Sequence, residues 1–449
     1  MKKTRIAALV SFVFFAVAGQ AWGEGFALYE YGARGMALGG ATMARKADAS
    51  AVAGNPALIT QLKGSHVQAG ATLIMPSGAV STIDPDSGVE RTSGLRTSHW
   101  FVPNMYYTQQ VSDNWYLGVG EFSRFGLGLE FPHGWPGRFN MYQVNVQSMS
   151  INPVVAWKAT NGLSLAAGIE AQYITLDVRK KTMVDFRPFG LPVYSEYDNS
   201  NSPQIDASIR NADSVAPGFN LAAHYQFNEQ WAAGFQYRSQ VQHRASGKNH
   251  LNVDNLDVGA LPPPLSAALA PYDKQTYKAH GTVVVPDSYA LGISWTPRKD
   301  LSFEAGAIYT RWSTFRSLRI HTDFPPGVES VAESKKKWND VWRLNFGAEY
   351  QMLDWLTLRA GYAYDQSPKG RKYQDYLVPT NDRHIYSLGV GFNLMKDLNL
   401  DLAYALILPT KRTYRYSPDD GVSPGDEVLD GKSRTSKTHL FAISLSYAF

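Results

Sequence analysis

Glu121 is the residue whose placement first asks for chemistry. In the alternating run Trp115–Arg124, Trp115, Leu117 and Val119 share one face, and Glu121 falls on that face. If the face meets hydrocarbon, a carboxylate there is costly. Gly118 and Gly120 sit just before it, and Gly126 and Gly128 soon after. Glycine inside a strand often marks a bulge or bend. The expectation is an inward kink at Gly118–Glu121 that breaks the ladder and opens the wall. The alternative is a one-residue shift of register, which returns Glu121 to the other face.

Catalytic chemistry has no such foothold. The chain contains no Walker motif. Its ten histidines are scattered without metal-ligand spacing. Gly118-Val119-Gly120 and Gly389-Val390-Gly391 lack the rest of a nucleotide fingerprint. The expectation is therefore not an enzyme, with no cofactor and no metal. A barrel lipase or deacylase is the minor alternative.

The elements that would carry Glu121 are strands. The last ten residues, Leu440–Phe449, alternate strictly. Phe441, Ile443, Leu445, Tyr447 and Phe449 share one face, opposite Ala442, Ser444, Ser446 and Ala448. A period of two marks a strand with different solvents on its two faces. The same pattern recurs at Leu163–Tyr173, Leu301–Tyr309, Trp342–Tyr350, Leu356–Tyr364 and Leu398–Tyr404. Large aromatics close the apolar face while Glu, Arg and Asp occupy the other. That combination points to an outer-membrane β-barrel.

Composition agrees. Lys2, Lys3 and Arg5 precede an apolar stretch, Ile6 to Gly19, and Ala21-Trp22-Gly23 fits a cleavage site, so residues 1–23 read as a signal peptide. Removing those three basic residues lowers the formal charge from +4 to +1, which argues against a nucleic-acid partner. The 25 Tyr and 11 Trp suit interfacial girdles. With no cysteine in the chain, the ladder must supply the stability without disulfides.

Fourteen alternating segments can be counted, from Ser65–Met75 to Arg434–Phe449, joined by connections that are long and short in turn. Segments three, five and six are placed at Trp115–Arg124, Leu163–Lys180 and Gly218–Phe227. Long extracellular loops are expected, the longest at 181–217 and 246–282. The fold class is all-β: a 14-stranded antiparallel transmembrane barrel over 65–449. Residues 24–64 do not alternate, are rich in Gly and Ala, and poor in charge. They are expected to fold into the lumen as a small hatch of short helices.

Gly25-Phe26, Gly35, Asp48-Ala49 and Asn55-Pro56-Ala57-Leu58-Ile59-Thr60 resemble the hatch of the FadL/TodX family, outer-membrane transporters of long-chain fatty acids and hydrocarbons. The resemblance continues through Tyr309-Thr310-Arg311-Trp312-Ser313, Tyr364-Asp365-Gln366-Ser367-Pro368, Asn381-Asp382-Arg383 and Tyr447-Ala448-Phe449. It implies capture of hydrophobic cargo on the two longest loops, an apolar lumen pocket, hatch rearrangement, and lateral exit through strand three. It also implies basic side chains that hold a cargo carboxylate, and by position these would be Lys180 and Arg319. The alternative is that both meet lipopolysaccharide phosphates or solvent. Phe26 would cap the pocket, and Asn55, Pro56 and Ala57 would anchor the hatch. Ala41-Thr42 and Ala44-Arg45-Lys46 depart from the acidic residues usual in such a hatch. Fatty acids and neutral hydrocarbons both remain open as cargo, and a porin is a minor alternative. Outer-membrane lipid and lipopolysaccharide would surround the barrel, and the expected unit is a monomer.

Overall fold

A computed structural model describes residues 25–85, 87–96, 99–184, 186–187, 197, 199–325, 331–370, 372–378, 381–416 and 428–449. The expected signal peptide, residues 1–23, lies outside them. Alternation along the chain becomes a closed barrel of fourteen antiparallel strands. In order these are β1 (Ser65–Ile83), β2 (Trp100–Gln110), β3 (Trp115–Phe122 and Gly126–Glu130), β4 (Gln143–Lys158) and β5 (Leu163–Met183). Next come β6 (Gln204–Gln226), β7 (Trp231–Arg238 and Val241–Asp254), β8 (Gln275–Val285 and Ser288–Arg298) and β9 (Leu301–Thr310 and Ser317–Thr322). The circuit ends with β10 (Val331–Lys335 and Val341–Leu353), β11 (Leu356–Asp365), β12 (Arg383–Met395), β13 (Leu398–Pro409) and β14 (Gly431–Ala448). Closure is the β1–β14 pairing, which runs from His66↔Ala448 to Thr82↔Gly431. Full closure removes the edge strands that an open sheet would expose to lipid.

Each strand separates two environments. On β14, Phe441, Ile443, Leu445 and Tyr447 are exposed on the outer face, while Leu440, Ala442 and Ser444 are buried inside. Aromatic pairs bridge neighbouring strands near one rim, as at Trp115–Trp157 and Trp231–Trp295, with ring centroids 5.9 and 5.8 Å apart. A second set, Tyr237–Tyr289 and Tyr309–Trp342, lies toward the other rim, with centroids 5.0 and 4.9 Å apart. Two girdles around an apolar band are what a membrane barrel requires.

Two loop boundaries differ from expectation. The loop expected at 181–217 is shorter, because β5 runs to Met183 and β6 begins at Gln204. The loop expected at 246–282 is likewise shorter: β7 runs to Asp254, β8 begins at Gln275, and a short helix (Pro263–Leu269) lies between. These strand extensions reach past the apolar band. Their outer faces are polar, as at Arg210, Lys248 and Lys278, so the apolar alternation that marks a membrane strand fades while the ladder continues.

The segment before β1 occupies the lumen. It holds helix α1 (Ala33–Ala37) and single turns at Ala49–Val52 and Pro56–Gln61, and most of its side chains are buried. α1 packs on β11 to β14. The wall makes room with glycine: a Cβ at Gly361 would overlap the Gly39 backbone, and one at Gly234 would overlap the Met43 carbonyl.

Candidate functional site: a plugged lumen, two apolar cavities and a gap in the wall

Asn55 ties the hatch both to itself and to the wall. Its side-chain oxygen accepts from the Ala57 amide at 3.1 Å, capping the turn that Pro56 begins. Its Nδ2 donates to the Met43 carbonyl at 2.7 Å and to the Ala223 carbonyl on β6 at 3.1 Å. Pro56 and Ala57 are fully buried beside it.

Charge is distributed in the reverse of the expected sense, with bases on the hatch and acids on the wall. Glu304 on β9 accepts from three consecutive hatch amides, Met43, Ala44 and Arg45, at 2.6, 3.1 and 3.0 Å. The Arg45 guanidinium lies 3.4 Å from the same carboxylate. Arg34 makes a two-pronged contact with Glu349 on β10, both bonds at 2.8 Å, and Arg359 joins Glu349 to Asp401. Sequence reasoning missed these acids because each reads as an ordinary lumen-facing polar residue.

The wall is broken on β3, but not at Gly118–Glu121. Those residues remain laddered on both sides: Gly118 to Thr108 and Val154, Gly120 to Tyr106 and Asn152, Glu121 to Met105 and Ile151. Gly118 and Gly120 face the lumen and make room for Val52, Ile59 and Tyr106 rather than bending the strand. Glu121 keeps the outward parity and is half-buried. The ladder fails at Ser123–Phe125. Beyond it, Gly126–Glu130 pairs only with β4, while Trp100–Asn104 on β2 pairs only with β1. Pairing changes from Phe122↔Ser150 to Gly126↔Gln147, so β3 carries one residue more than β4 across the break.

The broken backbone is satisfied from inside. Leu28 N–H donates to the Arg124 carbonyl at 2.7 Å, and Gly126 N–H donates to the Phe26 carbonyl at 2.9 Å. Phe125 N–H donates to Ser148 Oγ at 2.9 Å. The start of the hatch thus substitutes for the missing edge of β2. In the gap itself, the Trp100 indole lies against Gly128, where any Cβ would overlap the ring. Gly128 was visible in the sequence; its contact with Trp100 was not.

Two cavities lie above the hatch. The inner one, about 30 Å³, is lined by Phe26, Leu127, Val144, Ile174, Leu318 and Leu377, among others. Phe26 sits in an aromatic cluster with Phe125 and Trp312, at 5.6 and 4.9 Å between ring centroids. The outer cavity, about 500 Å³, is lined by the extensions of β5, β6, β7, β9 and β10 and by the helix Pro263–Leu269. Leu318 and Leu377 line both cavities, so one partition divides them. Lys180 lines the outer cavity. Arg319 does not: it is exposed on the outer face and pairs with Glu333 at 2.8 Å. The reason is parity, since Leu318 and Ile320 take the cavity side of β9.

At the lining of the outer cavity, Asp375 is held by two buried ammoniums, Lys336 at 2.6 Å and Lys369 at 2.7 Å. Burial pushes Lys369 down from 10.5 to about 7, with Asp375 opposing that fall. Burial alone would raise the Asp375 carboxyl, but the two lysines hold it below the usual range.

A closed barrel with a filled lumen and an apolar path to a wall gap defines an outer-membrane protein of hydrophobic transport. The chain belongs to the outer membrane protein transport family (OMPP1/FadL/TodX), whose model matches residues 14–449. It is 27% identical to outer membrane protein P1 of Haemophilus influenzae, over the full length of both chains. It is 23% identical to the long-chain fatty acid transport protein of Escherichia coli strain K12, covering 96% of this chain and 95% of that one. Among solved structures, a Pseudomonas aeruginosa FadL homologue matches with a TM-score of 0.79 at 20% identity, covering 95% of this chain and 100% of that one. The Pseudomonas putida toluene transporter TodX matches at 0.71 with 17% identity, covering 94% and 99%.

Proposed function

We propose that this protein takes up long-chain amphiphiles bearing a carboxylate, with fatty acids as the model cargo. The observation that carries this reading is the apolar path from the outer cavity, past Leu318 and Leu377, to the inner cavity and Leu127 beside the gap in β3. Each CH₂ buried along such a path is worth about 0.8 kcal/mol, so a long chain is held strongly and released slowly. Lys180 at the outer cavity takes the head group.

Release follows hatch movement. Withdrawal of Phe26–Leu28 frees the backbone of Arg124 and Gly126, and a swing of Trp100 off Gly128 opens the wall between β2 and β3. Cargo leaves sideways into the membrane without crossing bulk water. Lipopolysaccharide surrounds the upper barrel, and the working unit is one chain.

The inner cavity is lined by apolar side chains, which also suits a neutral hydrocarbon such as toluene. Lipid extraction with mass spectrometry, followed by competition between palmitate and toluene, separates the two. A Lys180→Met variant that binds palmitate at least tenfold less tightly, with toluene unchanged, supports the carboxylate reading. Equal binding of palmitate by the variant and the wild type sinks it.

A further inference from the structure

The outer face of β6 to β9 carries two features that neither the hatch nor the cavities use. The first lies at the outer aromatic girdle, where the β6–β7 ladder lapses between Asn220↔Arg238 and Asp213↔Ser246. A cleft of about 640 Å³ opens there, lined by Pro217, Phe219, Tyr237, Ser239, Asp287 and Arg311, among others. The Asp287 side chain is 3% exposed. Its Oδ2 accepts from Arg311 at 3.2 Å, but its Oδ1 is buried with no hydrogen-bond partner among the described residues. An unpartnered buried acceptor is costly, so the cleft calls for a donor. The Arg311 side chain is 48% exposed and faces the same space.

The second feature lies higher on the same strands. Arg210 on β6 is directly opposite Lys248 on β7, and Lys248 is directly opposite Lys278 on β8. All three are exposed, and none makes an ion pair with a described carboxylate. The row ends at Asp323, whose carboxylate lies 3.9 Å from His280 instead. Like charges set directly opposite one another destabilise a sheet unless an anion lies across them. Arg210 stands five residues beyond Val215, the last large apolar residue on the outer face of β6. At about 3.3 Å per residue and a tilt near 40°, that is roughly 13 Å above the apolar band.

We propose that this face is a binding site for one lipopolysaccharide molecule of the outer leaflet. Its acyl chains lie on Phe219, Leu221 and Val215. A phosphate at girdle height takes Arg311, while a sugar hydroxyl donates to Asp287 Oδ1. Phosphates of the inner core sugars lie across Arg210, Lys248 and Lys278. The chemistry selects a ligand with acyl chains, hydroxyls and phosphates at two heights. A phospholipid supplies phosphate at one height only. The proposal rests on the outer-membrane placement and is independent of which cargo the lumen carries.

The test is native mass spectrometry of the full-length protein, delipidated in detergent and titrated with purified lipopolysaccharide. The wild type should take up one molecule that phosphatidylglycerol does not displace. Arg210→Gln/Lys248→Gln/Lys278→Gln and, separately, Arg311→Gln should each weaken retention at least tenfold. The control Lys432→Gln/Lys437→Gln, on β14, should match the wild type. Folding is read from the heat-dependent gel shift of the barrel. Should the triple variant fail to fold, Arg311→Gln alone decides. Equal retention by site variants and control, or ready displacement by phosphatidylglycerol, overturns the site. Palmitate uptake by the same variants should be unchanged, so failure of this site and failure of the transport reading give different results.

Discussion

Glu304 holds three hatch amides and one guanidinium with a single buried carboxylate. Removing one partner of such a buried group leaves the others unpaired, at about 3–5 kcal/mol. Glu304→Ala should therefore loosen the hatch, read as ion conductance in a planar bilayer where the wild type shows little. A variant as tight as the wild type would show that the hatch is held elsewhere. Lys369 offers a pH test in the extracellular loop. Its folded value, about 7, lies below the ordinary 10.5. Between those two values the opened loop binds a proton that the closed loop does not. Loop closure is therefore favoured as pH rises from 7 toward 10.5, by at most about 1.4 kcal/mol per unit. The Val378 amide, which donates to Asp375 at 2.9 Å, reports this by hydrogen exchange corrected for intrinsic rate. Protection that falls over the same range would contradict the sign.

At the scale of elements, β3 carries the break on which the proposed exit depends. Its two pieces are out of phase by the one residue that β3 carries in excess. Deleting Ser123 brings them into one register with β4 and presents an unbroken edge to β2. Uptake of labelled palmitate should fall at least tenfold, with the barrel still folded by its gel shift. Normal uptake would remove the gap from the mechanism. The strand was legible in the sequence, but the break expected at Gly118–Glu121 lies at Ser123–Phe125. Gly118 and Gly120 were read as bend points, yet their missing side chains leave space for Val52 and Ile59. Glycine reports that something approaches closely; the sequence does not distinguish a neighbour from a bend.

At the scale of the molecule, hatch and wall are one construction. The first hatch residues complete the backbone bonding of the broken strand, so the plug and the gap are coupled by hydrogen bonds at Leu28 and Gly126. Deleting residues 25–61 should convert the barrel into an open pore with discrete conductance steps. A barrel that stays closed without them would place the seal in the loops.

The sequence by itself determined the period, the strand number, the closing strand and the presence of a plug. Those are local patterns, written in residues one or two apart, and the closing run Phe441 to Phe449 shows the period most cleanly. Parity was legible for Arg319 as well: it falls in phase with Phe303, Ala305 and Tyr309 on the outer face of β9, and only its position along the chain suggested the cavity. Only the tertiary structure decided that Trp100 closes on Gly128 and that Glu304 meets Met43 across 261 residues. Each of these is a contact between distant segments, set by how the closed barrel brings its walls around the segment that fills it.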